Sequence, residues 1–480
     1  MFGKYILAVA IATAFVVPIP AIGADDADVQ QIRKEIQDLK DGYEARIREL
    51  EQRLEQLEHS PASVPAPSDA AAPVPTVEAA PAPTVEAAPA PAQSAPASAN
   101  SFNPAISLIL NGQLNNLERD PANYQIGGFI PGQGDGGVGP GVRGFTVGES
   151  ELTFAANVDP YFSGALTLSI DTNNDVLVEE SFVQNTGAIP GTTIKFGRFL
   201  SGFGYLNGIH AHAWDFVDSP LVYQAFFGGQ LLEDGIQARW LAPTPMLLEF
   251  GVETGNGQAF PGSDLNKNGA NAGTFFVHLG DDVGFSNSYL IGASYRTTRA
   301  EDRTYGDVNA AGTPVTNAFT GDSRMWGAQI VWKWAPNGNP VDRNFKFQSE
   351  YMHRVEDGSL AYDITGANLS NGYRSSQSGW YAQGAYQFIP RWRVGLRYDE
   401  LRSGNTDIGL VTSGALTAAD FPLLAENNPK RSTAMIDFSP SEFSRFRLQF
   451  SRDEARFNEP DNEVFLQYIM SLGTHGAHKF

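Results

Sequence analysis

The chain has 480 residues, no cysteine, 49 glycines and a formal net charge of −21. The missing cysteines exclude a disulfide framework and a thiolate metal site, and the acidic balance argues against a nucleic-acid binder, which needs a basic face. Beyond the first two dozen residues no run is apolar enough for a membrane helix.

Residues 1–24 read as a secretory signal: Lys4 precedes an apolar core from Tyr5 to Val17, and Ala21, Gly23 and Ala24 supply a small-residue cleavage region. Residues 25–58 carry apolar residues at Val29, Ile32, Ile36, Leu39, Tyr43, Ile47, Leu50, Leu54 and Leu57. That spacing of three and four predicts a coiled-coil seam, whose natural partners are further copies of the same chain. Residues 59–100 are Pro/Ala-rich, with PTVEAAPA repeated at 75–82 and 83–90. Prolines break any helix there, leaving an extended spacer that reaches about 130 Å at most.

From residue 101 to 480 the pattern turns to period two, starting with Ile106, Leu108 and Leu110 against Ser107, Ile109 and Asn111. Sixteen strands are expected, at 105–116, 144–158, 161–171, 178–186, 193–200, 234–242, 246–255, 273–280, 287–298, 322–334, 343–355, 376–388, 391–403, 430–439, 443–455 and 462–474. Short connections alternate with long ones, the longer being 117–143, 201–233, 256–272, 299–321, 356–375 and 404–429. The expected fold is all-β: a 16-stranded antiparallel transmembrane β-barrel with an N-terminal α-helical coiled coil. Trp334, Phe388, Trp392, Phe438 and Phe443 sit beside short turns, as an interfacial aromatic girdle requires.

If the apolar register faces lipid, the other register lines a lumen. Arg296, Lys333, Lys346, Arg354, Arg393, Arg397, Arg445 and Arg447, with Arg391, then form a mainly basic wall. Glu149, Glu151, Asp171, Glu249 and Glu253 form a mainly acidic one. Opposed walls would set a transverse field that selects polar solutes. Glu350, Asp399, Asp437 and Asp453 are placed to neutralise part of it. The faces near Glu179, Glu180 and Arg198 stay open, because a one-residue slip reverses them.

Residues 201–233 are too long and apolar for a solvated loop, and are expected to fold into the lumen as a constriction carrying Phe203, Tyr205, His210, His212, Trp214 and Asp215. His210 and His212 could contact zinc, with Asp215 or Asp218 near, but His-x-His alone does not make a metal site. No cofactor is expected. No Gly-x-Ser-x-Gly, phosphate-loop or His-Glu-x-x-His motif is present, so no enzyme is expected.

The run TTIKFGRFLSGFGYLN at 193–208, within this order of signal, coiled coil, linker and barrel, resembles the DcaP-like trimeric porins of Gram-negative bacteria, relatives of the phosphate-selective porins O and P. The resemblance implies a homotrimer in the outer membrane, surrounded by its lipids, and the terminal Phe480 resembles the signal that outer-membrane proteins present to the barrel assembly machinery. It implies an in-folded third outer loop and passive diffusion of small hydrophilic solutes, including anions such as dicarboxylates or phosphate. The coiled coil would hang in the periplasm. Two other readings stand beside it: a structural anchor linking outer membrane to cell wall, and a zinc-linked outer-membrane receptor. About sixteen strands is fewer than the roughly twenty-two of TonB-dependent receptors.

Overall fold

The structure, a computed structural model, describes residues 104–132, 138–170, 175–187 and 189–473. The expected signal (1–24), coiled coil (25–58) and spacer (59–100) lie outside these residues, as does Asp171.

Among the described residues the strands are β1 (Ala105–Leu117), β2 (Gly144–Thr146), β3 (Ser150–Asn157), β4 (Phe162–Ile170), β5 (Val176–Thr186), β6 (Thr192–Leu200), β7 (Leu232–Leu241), β8 (Leu247–Gly255) and β9 (Ala272–Val283). They continue as β10 (Asn287–Val308), β11 (Pro314–Trp334), β12 (Asn344–Tyr362), β13 (Leu369–Ile389), β14 (Trp392–Arg402), β15 (Thr406–Ile408), β16 (Lys430–Ser441), β17 (Ser444–Asp453) and β18 (Asp461–Gly473). All form one antiparallel sheet, and β1 pairs with β18 from Ser107↔Gly473 to Leu117↔Glu463, which closes it. The short β2 and β3 both run against β1, and β14 and the short β15 both run against β13. The 18 strands therefore make a closed barrel of 16 staves. Closure removes the sheet edges around the barrel, while β10 beyond Thr298 is paired with β11 alone.

The two faces divide as period two demands. On β17, Phe446, Leu448 and Phe450 are 46–48% exposed, while Arg447, Gln449 and Ser451 between them are at most 1% exposed. The same alternation holds on β1, β14 and β18. Apolar side chains outside and polar ones inside invert the pattern of a water-soluble barrel. An apolar outer face loses nothing when lipid surrounds it. Trp392 and Phe438 stack at 4.7 Å beside the short turns 390–391 and 442–443.

Three expectations are corrected. β10 to β13 run for 22, 21, 19 and 21 residues, about twice the 9–11 that cross a bilayer. The stretches 299–321 and 356–375 are therefore mostly strand, not loop. Their inner faces stay apolar, and Tyr305, Phe319, Leu360 and Tyr373 pack on Leu410, Phe421 and Leu424 from the connection after β15. The strand expected at 144–158 is broken at 147–149, where Gly148 takes φ 54° and Asn111 N–H donates to Ser150 Oγ instead of a ladder carbonyl. Arg391 lies in the β13–β14 turn with φ 73° and is exposed, so it does not line the lumen.

Candidate functional site

The connection between β6 and β7, residues 201–231, crosses the inside of the barrel. It holds two short 3₁₀ turns and the helix α1 (Leu221–Phe227), which Gly228 ends in a left-handed conformation. Every residue of α1 is buried. Apart from Gln224, which bonds Ser219 O and Gly139 N, and the Tyr223 hydroxyl, which bonds Glu350, its side chains are apolar and need apolar neighbours. Met325, Met352, Tyr381 and Leu401 from the wall provide them, with Phe129 from the first long loop.

A loop inside a barrel has no ladder partner, so its backbone groups need side chains to bond them. The inward register of the wall supplies these. Glu350 accepts from Tyr205 N and Leu206 N (both 3.0 Å), from Tyr223 Oη (2.8 Å) and from Tyr381 Oη (2.6 Å). Glu253 accepts from Ser201 Oγ (2.6 Å) and Gly202 N (2.7 Å), and Asp399 from Leu221 N (2.9 Å). Basic side chains bond the carbonyls. Arg445 donates to His212 O (2.6 Å), Arg447 to Trp214 O (3.0 Å) and Arg431 to Ser219 O (2.5 Å).

Ion pairs tie the loop's own carboxylates to the wall. Asp215 lies 2.9 Å from Lys346 and 3.0 Å from Arg393. Asp218 lies 3.0 Å from Arg397 and 2.5 Å from Arg431. Arg393 also reaches Asp437 (2.7 Å), and Arg397 reaches Asp399 (3.0 Å). The basic wall is thus met locally by acids, two of them on the loop, and does not stand free against a distant acidic wall. The transverse field expected from the strand pattern is reduced accordingly.

The remaining expected residues fall as follows. Arg296 is buried and pairs with Glu233 at 2.7 Å. Arg354 donates to Gln377 Oε1 (2.7 Å) and covers the Phe226 ring. Lys333 is half-buried, directly opposite Lys346 in the ladder. Glu249 pairs with His278 (2.9 Å) and, at 3.7 Å, with Arg239. Phe203 is fully buried against Phe227, Tyr205 lies beneath Lys346, and Trp214 Nε1 donates to Ile209 O. Glu149 is half-buried and grouped with Glu151 and Glu179. His210 and His212 face Glu151, Glu179 and Glu180 rather than Asp215 or Asp218.

Sequence reasoning did not single out Glu233, Asp218 as an ion-pair node, Arg431, or the central position of Glu350. Inward register marks Glu350 and Arg431, but nothing in the strand pattern tells a loop holder from any other inward residue.

The class that fold and site define is a membrane-type β-barrel with a loop folded across its interior. No protein-family model matches the chain. An uncharacterized protein of Aquifex aeolicus (strain VF5) is 30% identical over 407 residues, covering 80% of this chain and 82% of that protein. The chain belongs to the same family as that protein. Among solved structures, the outer membrane channel DcaP of Acinetobacter baumannii superposes with a TM-score of 0.47 at 14% identity, covering 78% of this chain and 99% of the other. The loop L8 deletion mutant of OmpT of Vibrio cholerae gives 0.47 at 12%, covering 77% and 99%. An anion-selective porin from Comamonas acidovorans gives 0.43 at 10%, covering 77% and 99%. At these values neither the solutes nor the assemblies of those proteins transfer to this chain.

Proposed function

We propose that the protein is an outer-membrane porin for passive diffusion of small hydrophilic solutes, with residues 201–231 setting the constriction. The observation that carries this reading is that several charged side chains of the inward face stay partly accessible. Arg393, Arg239, Lys346 and Glu249 keep 19–23% of their side-chain surface. A lumen sealed as a core would bury them as fully as it buries Arg296.

The solutes we favour are anions such as dicarboxylates or phosphate, in a barrel of the DcaP-like kind. Lys333 and Lys346 stand side by side across the ladder. Like charges so placed repel, and Asp215 is shared between Lys346 and Arg393. A passing anion relieves that excess. The homotrimer rests on the heptad seam at 25–58, and export on the signal at 1–24.

A second reading, a barrel serving as an anchor, draws on the apolar packing around α1, which fills part of the interior. Single-channel conductance in planar bilayers under a salt gradient separates the two. Steps in threes with an anion-selective reversal potential are expected. No conductance from folded protein overturns the porin reading and favours the anchor.

A further inference from the structure

Five side chains converge where the loop meets the wall of β3 and β5. His210 and His212 come from the loop, Glu151 from β3, and Glu179 and Glu180 from β5. Two adjacent residues of a strand ordinarily point to opposite faces. Here both carboxylates point inward, because the register between β4 and β5 shifts at this point: Thr167 pairs with Glu180 and Leu168 with Val178, leaving Glu179 unpaired in a bulge. A bulge re-aims a side chain at the cost of a ladder pair.

His212 Nδ1 lies 2.5 Å from Glu151 Oε1. His210 Nδ1 lies 3.2 Å from Glu151 Oε2 and 3.3 Å from Glu179 Oε1. Ligand atoms of Glu151, His210 and His212 all fall within 4.8 Å of one another. Glu179 is 5% exposed, and its carboxylate is met by His210 Nδ1 at 3.3 Å, without the alignment of a good hydrogen bond. Three buried carboxylates meet one lysine, Lys195, at 4.0 Å from Glu180. Buried carboxylates without hydrogen bonds are costly unless a positive charge neutralises them.

We propose that His210 Nδ1, His212 Nδ1, Glu151 and Glu179 bind a divalent cation of the zinc type, which fastens the loop to the β3–β5 wall. Two neutral imidazoles and two carboxylates offset a dication's charge, and a mixed nitrogen and oxygen set suits such a metal. Ligands at about 2.0–2.2 Å in a tetrahedron stand about 3.3 Å apart. The His210 contacts already have that spacing, the His212–Glu151 contact must open by less than about 1 Å, and Glu179, which lies outside the group of Glu151, His210 and His212, must move toward His212. Glu180 completes the arrangement. Its Oε2 lies 3.2 Å from His210 Nε2, and its Oε1 accepts from Leu200 N, also at 3.2 Å. A carboxylate behind the far nitrogen is how metal-bound histidines are oriented.

The test is binding, which does not depend on whether the barrel conducts. Folded full-length protein in detergent is stripped with a chelator and titrated calorimetrically with Zn²⁺ and, separately, Mg²⁺. His59, His475 and His478 are first replaced by Ala, to remove imidazoles outside the site from the titration. One saturable Zn²⁺ per chain is expected, with no Mg²⁺ binding at the same site. Glu179→Gln and His212→Ala should each weaken Zn²⁺ by more than the roughly 10–100-fold that loss of an outer-shell partner costs. X-ray absorption of the zinc-loaded parent needs no variant at the site and should show two imidazoles with oxygens at about 2.0–2.2 Å. Absence of saturable binding, unchanged affinity in Glu179→Gln, or a coordination shell without imidazole overturns the proposal and leaves a set of histidine–carboxylate pairs only.

Discussion

Replacing Glu350 by alanine should release the loop from the wall while leaving the barrel closed. Glu350 is 1% exposed and accepts four hydrogen bonds, two from loop N–H groups and two from tyrosine hydroxyls. Hydrogen bonds to a charged acceptor contribute about 1.5–3 kcal/mol each, so the four together set an upper bound of about 6–12 kcal/mol. Water entering the vacated space recovers part of this. A remainder of even a few kcal/mol is comparable to the free energy of local opening in mobile elements. The wall is held independently by the ladders of β12 with β11 and β13, which the substitution does not touch. The assay is limited proteolysis from the lumen side together with single-channel recording. New cleavage within 201–231, larger conductance and rapid flicker are expected, with heat-modifiable gel mobility retained. Glu350→Gln keeps one acceptor oxygen and should fall between alanine and the parent. Unchanged cleavage and unchanged conductance in Glu350→Ala would refute the view that this carboxylate holds the loop.

Four further outcomes are expected. Gly204 has φ 79°, and a Cβ there would strike Glu350 Oε2 and Tyr223 Oη; Gly204→Ala, with about 1–3 kcal/mol of backbone strain, should reproduce the proteolysis seen for Glu350→Ala. Asp215→Asn removes the carboxylate between Lys346 and Arg393. A unit charge at about 4 Å in water is worth about 1 kcal/mol, so anion permeability should rise about fivefold and cation permeability fall by a like factor, with the reversal potential moving toward anion selectivity. Lys333→Glu with Lys346→Glu reverses the charge of the laddered lysine pair and should move the reversal potential the opposite way. Leu448→Arg places a charge on the outer face, where Leu448 is 48% exposed; it should weaken folding into lipid vesicles by about 2–4 kcal/mol if the residue lies near the midplane.

The strands were legible because alternation is a local property. The order Phe446, Arg447, Leu448, Gln449, Phe450 can be read without knowing what lies opposite. Most strand ends fall within a few residues of expectation for that reason. The exceptions have physical causes. The outward faces of β10 to β13 beyond the membrane carry Asp, Arg and Gly, which looks like loop until the connection after β15 covers the inward face. The break at 147–149 reflects a hydrogen bond from a different strand. Arg391 has the inward parity, but its turn conformation takes it out of the strand.

The loop residues were legible only in part. Glycine and aromatic content marked 201–233 as a segment unsuited to solvent, but not its partners. His210 and His212 stood out as a pair. Their nearest acids in sequence, Asp215 and Asp218, instead engage Lys346, Arg393, Arg397 and Arg431.

The sequence by itself determined the period-two staves, their inward and outward faces and the existence of an apolar segment between β6 and β7. Each follows from neighbours one or two residues apart, whose chemistry acts on the local backbone. Only the tertiary structure decided which charges hold the loop and which stay wet. Tyr205 meets Glu350 across 145 residues of chain, a juxtaposition that exists only once the barrel is closed. The bulge that turns Glu179 and Glu180 together toward His210 is likewise a property of two strands in register, and no single strand's pattern encodes it.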